Sequence, residues 1–142
     1  MFKRSSKIAL LQKVPLFKAL SQKQLREVAQ LAEEINVTIG RRLVSAGELG
    51  YELFVIVEGN ATARIRGGRT VRLGPGDFFG EMSLIDHGPR SATVEAASDM
   101  RLFVVGSREF WQLLDAAPPL VARIMVALSQ RVREAEAASI SV

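Results

Sequence analysis

Glu81, Arg90, Ser91 and Thr93 are the residues of this 142-residue chain whose types and spacing invite chemistry. They fall in one stretch, FFGEMSLIDHGPRSATVEA, from Phe78 to Ala96. Isolated charges are costly in apolar surroundings unless a partner meets them. A solvated loop, in turn, has no use for Phe78, Phe79, Met82, Leu84 and Ile85. The mixture predicts charges kept for a ligand. Arg90 offers a rigid fork of donors that matches the paired oxygens of a phosphate, and Ser91 can add a hydroxyl and a backbone N–H. A helical turn starting at Gly80 would present free amides from the Gly80, Glu81 and Met82 region, with glycine allowing close approach to the backbone. Glu81 would repel an anion unless it accepts from a hydroxyl, and a ribose supplies one. With an apolar rim from Val71, Leu73, Phe79, Met82 and Leu84, the set describes a receptor for a nucleotide. The plainer alternative is a structural salt bridge between Glu81 and Arg90.

Composition narrows the field. The chain has no cysteine and one histidine, His87, which excludes disulfides, thiolate chemistry and multi-histidine metal sites. That weighs against a cupin-like oxygenase or isomerase, which needs several histidines for a metal. A phosphodiesterase would likewise want metal ligands or a positioned base, and the sequence displays no such set. The net charge of +4 is modest and comes partly from Lys3, Arg4 and Lys7, so it gives little support to a nucleic-acid partner. No apolar run approaches the roughly 20 residues that span a bilayer. The N-terminus lacks a signal-peptide pattern, because Lys13 interrupts its apolar part. The sequons at Asn36 and Asn60 are then chance matches.

The elements that must position the site fall into three zones within one domain: helices over 1–36, strands over 37–106, and helices over 107–142. In the first, Ser21 with Gln24 fits a capping box, and Leu25, Val28, Ala32 and Ile35 share a helical face. Before it, VPLFKAL is a proline-punctuated apolar turn that docks this zone. The second zone is rich in β-branched residues cut by Gly59, Gly67, Gly68, Gly74 and Gly76, which predicts an antiparallel roll, barrel or sandwich. RGGRT reads as a hairpin turn. SATVEA and MRLFVV are two further strands, separated by Ser98 and Asp99. In the third zone Ser107 is expected to cap a short helix carrying Phe110, Trp111, Leu113 and Leu114. Pro119 can open the next helix, with Leu120, Ile124 and Leu128 on one face and Val121, Met125 and Val132 on an adjoining one. Trp111 and the Leu120 stripe read as core, His87 as a solvated turn residue. GPGDFFG has the wrong glycine spacing for a dinucleotide fingerprint, so Gly74 and Gly76 are turn residues.

The stretch 78–94 resembles the phosphate-binding cassette of the cyclic nucleotide-binding domain family, which includes bacterial cAMP receptor proteins, kinase regulatory subunits and cyclic nucleotide-gated channels. Phe79, Gly80, Glu81, Ser83, Leu84, Pro89, Arg90, Ser91 and Ala92 match its pattern. VPLFKAL, GPGDFFGE, SREFWQLL and RIMVALSQRV extend the likeness over nearly the whole chain. The resemblance implies an α+β, mainly β fold, an antiparallel β-roll of jelly-roll type flanked by N- and C-terminal helices. It implies that Arg90 holds the exocyclic phosphate oxygens and that Glu81 accepts from the ribose 2′-hydroxyl. Gly80 and Met82 would line the ribose phosphate, Ser91 and Ala92 the phosphate, and Arg131 on the last helix would contact the base. Where DNA-binding relatives place hydroxyl residues at that lid, this chain has Ala135 and Glu136. The implied protein is a cytoplasmic, non-enzymatic sensor without metal or cofactor. Its ligand is cAMP, with cGMP kept open by Ser91, and its effector is not on this chain. The family's last helix sometimes pairs subunits, which leaves a homo-oligomer open. A DNA reader needs a further helical domain, and this sequence stops at Val142. A degenerate interaction module that kept only the fold is the remaining alternative.

Overall fold

The computed structural model describes residues 6–65 and 67–140, with side chains described as far as Glu134. Arg66, Met1 to Ser5 and the last two residues lie outside the described set, as do the side chains of Ala135 and Glu136. Helix α1 (Lys7–Gln12) leads through a 3-10 turn (Pro15–Phe17) to α2 (Gln22–Leu31). Eight strands follow: β1 (Glu33–Val37), β2 (Arg42–Val44), β3 (Glu52–Glu58), β4 (Ala61–Ile65), β5 (Thr70–Leu73), β6 (Phe78–Phe79), β7 (Ala92–Ala96) and β8 (Met100–Gly106). Helix α3 (Glu81–Asp86) interrupts them between β6 and β7, and α4 (Ser107–Ala116) and α5 (Pro118–Ile140) close the chain. The strands form two antiparallel four-stranded sheets, ordered β1-β8-β3-β6 and β2-β7-β4-β5. This is the expected roll.

Strand pleating explains why β3 and β8 are apolar along most of their length. Alternate side chains point to opposite faces, and both faces of the first sheet are covered. Phe54, Ile56, Met100, Leu102 and Val104 point between the sheets, where Val37, Ala63, Phe79 and Val94 meet them. Leu53, Val55, Phe103 and Val105 point the other way, onto Leu10, Val28, Phe110, Leu120 and Ile124 of the helices. Neighbours Phe78 and Phe79 divide between the two cores, and Phe79 stacks on Phe54 at 4.9 Å. Arg101 is the one buried charge on the helix-side face of β8, with Glu34 at 3.3 Å and Glu58 at 3.6 Å from the flanking strands.

Several local expectations are met. Ser21 Oγ accepts from the Gln24 amide at 3.2 Å while Gln24 Oε1 accepts from the Ser21 amide at 2.9 Å. Gly67 and Gly68 turn the β4–β5 hairpin with φ of 104° and 105°, a region open to glycine at little cost.

Others need correction. Helix α2 ends at Leu31, and Ile35 lies in β1 opposite Leu102. Apolar residues at 28, 32 and 35 fit a helical face, but 33–37 also fits a strand, and pairing with β8 decides between them. The side chain of Ser107 makes no cap: Gly106 is the N-cap of α4. Helix α5 starts at Pro118, one residue before the expected opening. Trp111 is 46% exposed and meets Phe110 only edge-on, so it is not core.

Replacing Ser21 by Ala removes the reciprocal cap and is expected to cost about 1 kcal/mol. The reading is a lower urea midpoint at unchanged slope. An unmoved midpoint would show that tertiary contacts alone hold the start of α2.

Candidate functional site

A cavity of about 750 Å3 opens between the second sheet, the β6–α3 segment and one side of α5. Its walls contain all but one of the residues proposed from the sequence to touch a ligand: Val71, Leu73, Phe79, Gly80, Glu81, Met82, Arg90, Ser91, Ala92 and Arg131. The β4–β5 hairpin supplies the apolar floor, because Val71 pairs with Ala63 and both line the cavity. Leu84 is the exception among the rim residues. It stands one helical turn past Glu81 on α3, is 1% exposed, and belongs to the helix-side core.

The C-terminal end of the cassette is fastened to the β2–β3 loop. The Arg90 amide donates to the Glu48 carbonyl at 2.7 Å, and the Gly47 amide donates to the Arg90 carbonyl at 2.9 Å. Leu49 bridges to Pro89. Thr93 Oγ1 accepts from the Ala46 amide at 3.0 Å. Thr93 therefore splices the β2–β3 loop to β7, whereas Ser91 lies exposed on the cavity wall. His87 is exposed in a left-handed turn that ends α3, with φ of 58°.

Arg90 is buried, and its guanidinium is held by backbone carbonyls. Nη1 donates to Gly80 O at 3.0 Å and Nη2 to Glu52 O at 2.9 Å. Burial pulls its pKa below the usual arginine range, and the carboxylates of Glu52 and Glu81 push it back up. The group reaches this place only because two glycines make room. A Cβ on Gly50 would stand 2.2 Å from Arg90 Cζ and Nε, and one on Gly80 would stand 2.5 Å from Nη1. Gly80 also has φ of 95°, which a side chain rarely tolerates. Gly50 and Glu52 are functional positions that the sequence analysis missed. Glycine before a strand carries no signal of its own, and a carbonyl acceptor is independent of residue type.

Glu81 and Arg90 do not form the salt bridge considered as the plain alternative. Glu81 is 1% exposed, and its Oε1 accepts from Nη1 of Arg131. Nη2 of Arg131 donates to the Phe78 carbonyl, and its guanidinium carbon lies 4.9 Å from the centre of the Phe78 ring. Arg131 thus enters the site as the sequence suggested, but turned to Glu81 and the β6 backbone rather than held out toward a base. Among the described residues, Glu81 Oε2 is buried with no hydrogen-bond partner. The cavity lining therefore includes an arginine fork, Arg90, and a carboxylate, Glu81, that keeps one spare buried acceptor. That pairing suits a ligand carrying both a phosphate and a hydroxyl.

Comparison with known proteins agrees with this chemistry. The family model described as "cyclic nucleotide-binding domain" matches residues 34–117, more than half of the chain. A cyclic nucleotide-gated potassium channel of Rhizobium etli is 39% identical over 109 residues, covering 77% of this chain and 30% of the channel. A cAMP-dependent protein kinase regulatory subunit of Mycosarcoma maydis is 42% identical over 110 residues, covering 71% of this chain and 21% of that subunit. The crystal structure of the Thermus thermophilus catabolite activator protein superposes with a TM-score of 0.77 at 30% identity, over 86% of this chain and 60% of that one. The chain thus spans only part of the length of these relatives. No single helix among the described residues is long and apolar enough to cross a membrane. By the matched model, the roll and the cassette together, this chain belongs to the cyclic nucleotide-binding domain family.

Proposed function

We propose that the chain is a regulatory module that binds a 3′,5′-cyclic nucleotide, cAMP in preference to cGMP, and performs no chemistry on it. The observation that carries this reading is that Arg90 and Glu81, whose Oε2 is buried and unpartnered, line the same cavity. The cyclic phosphate takes donors from Arg90 and from the Ser91 and Ala92 region. The 2′-hydroxyl, the free ribose hydroxyl of such a nucleotide, donates to Glu81 Oε2. The base lies along Val71, Leu73 and Ala63, beneath α5. The preference for cAMP rests on the names of the relatives, two of which, the kinase regulatory subunit and a cyclic AMP receptor protein of Thermus thermophilus, are named for that nucleotide.

Regulation follows from where the ligand sits. It can shift α5 only by binding one arrangement of that helix better than another, and α5 supplies one wall of the cavity.

Calorimetric titration with cAMP and cGMP tests the reading. The wild type is expected to bind, and cAMP is expected to be recovered intact after overnight incubation. Arg90→Leu should lose at least about 2 kcal/mol, the scale for removing one partner of a buried charge-assisted contact, or roughly thirty-fold in Kd. A folded wild type that binds neither nucleotide would overturn the proposal in favour of an interaction module. Turnover of the nucleotide would make it an enzyme.

Gly50→Ala makes a sharper test, since Gly50 carries no side chain of its own. Its new Cβ would displace the Arg90 guanidinium, so affinity should fall about tenfold or more while the far-ultraviolet spectrum stays that of the wild type. Unchanged affinity would show that Arg90 reaches the phosphate from some other position.

A further inference from the structure

Lysine is confined to one end of this sequence. Lys3, Lys7, Lys13, Lys18 and Lys23 are all the lysines of the chain, and beyond Lys23 every Lys or Arg position holds arginine. The acids are divided as unevenly, Glu27 being the first of them. Residues 1–31 carry seven cations against one acid, and residues 32–142 carry twelve against fourteen. The positive excess of the whole chain, +4, therefore comes from its first 31 residues.

The fold turns this run into a surface. In α1, the 3-10 turn and α2, the apolar residues Leu10, Val14, Phe17, Leu25 and Val28 are buried in the helix-side core. Lys13, Lys18, Lys23 and Arg26 are exposed, and Lys7 is half-buried. An amphipathic layer that buries its apolar side leaves its charges on the outer one. Among the described residues, none of these five cations is in an ion pair. Arginines elsewhere are committed: Arg42, Arg64, Arg101 and Arg131 pair with carboxylates, while Arg90 and Arg123 donate to backbone carbonyls. Helix α4, which packs on α2, brings Arg108, Glu109 and Asp115 and takes only one charge from the excess.

The character of this face selects its partner. Lysine is a hydrated point charge on a flexible stem and needs no fixed geometry, whereas arginine is the residue of forked, directional contacts. Protein interfaces are centred on buried aromatic and arginine anchors, and single-stranded nucleic acid is held by stacking on exposed rings. Residues 6–31 expose no large apolar or aromatic side chain; Ile39, Tyr51 and Trp111, which are exposed, all lie later in the chain. A bilayer with anionic headgroups asks only for positive charge within a Debye length of its surface.

We propose that the outer face of α1, the 3-10 turn and α2 is an electrostatic contact surface for an anionic lipid bilayer. The lysines approach the headgroups as hydrated charges, and no described side chain of this face enters the hydrocarbon. The contact is reversible and weakens with salt. It draws nothing from the nucleotide cavity, so the two readings stand or fall separately.

Co-sedimentation with lipid vesicles tests the proposal. The vesicles are phosphatidylcholine alone, or phosphatidylcholine with about 30% phosphatidylserine or phosphatidylglycerol, at about 25 and 150 mM salt. The wild type is expected on both anionic vesicles and not on the neutral ones, with less bound at the higher salt. Each lysine near the surface is worth about fivefold in partition. Lys18→Gln combined with Lys23→Gln should therefore weaken binding by roughly tenfold or more. The control combines Arg41→Gln and Arg133→Gln, two exposed arginines on the roll and α5 whose loss changes the net charge equally. It should weaken binding by less than about twofold.

Equal losses in the two pairs would overturn the proposal, because net charge and not this face would then govern binding. So would a wild type that ignores anionic vesicles at the lower salt, or one that strongly prefers one headgroup, which calls for a built pocket. A duplex oligonucleotide that displaces the chain from vesicles at equal phosphate concentration would assign the face to nucleic acid instead.

Discussion

Everything at this site depends on keeping two opposite charges at one cavity wall without letting them neutralise each other. At contact distance and the effective dielectric of a protein site, such a pair attracts by about 4 kcal/mol, and a Glu81–Arg90 pair would close the space a ligand needs. The structure holds them apart by giving each its own partner. Arg90 is committed to two backbone carbonyls in a slot that exists because Gly50 and Gly80 lack a Cβ. Glu81 is committed to Arg131 of the last helix. The surrounding architecture serves these commitments: the β2–β3 loop clasps the cassette through Ala46, Gly47 and Glu48, and β3 presents the Glu52 carbonyl.

The same logic explains which parts of the protein could be read from sequence. Features written in residue type within a few positions were legible: the Ser21 cap, the Gly67-Gly68 hairpin, and Glu81 and Arg90 within one cassette. The ligand wall was legible too, since alternate residues of β5 must share a face. What escaped was written across the chain. Glu52 and Arg90 are 38 positions apart, and Glu52 contributes only its carbonyl. Glu81 and Arg131 are 50 apart, so proximity alone suggested Arg90 as the partner of Glu81.

Errors of face had a different origin. Leu84 was placed on the rim because its neighbours in sequence are there, yet the helical turn of α3 carries it behind Glu81 into the helix-side core. Trp111 follows Phe110 directly, so on a helix the two cannot both face inward, and the smaller ring took the core. The end of α2 was overrun because Ile35 suits a helical stripe and a strand equally, and only β8 distinguishes them.

Strand β6 consists of only Phe78 and Phe79, one ring in each hydrophobic core, and it opens the cassette. Because consecutive side chains of a strand are fixed on opposite sides, this dipeptide cannot turn without disturbing both interiors at once. Whatever presses on the cassette from the nucleotide side reaches the helical layer through Phe78, the residue whose carbonyl and ring Arg131 already touches. The roll and its helices are thus geared together at the narrowest strand in the molecule, and volume changes at either ring should be felt across the first sheet.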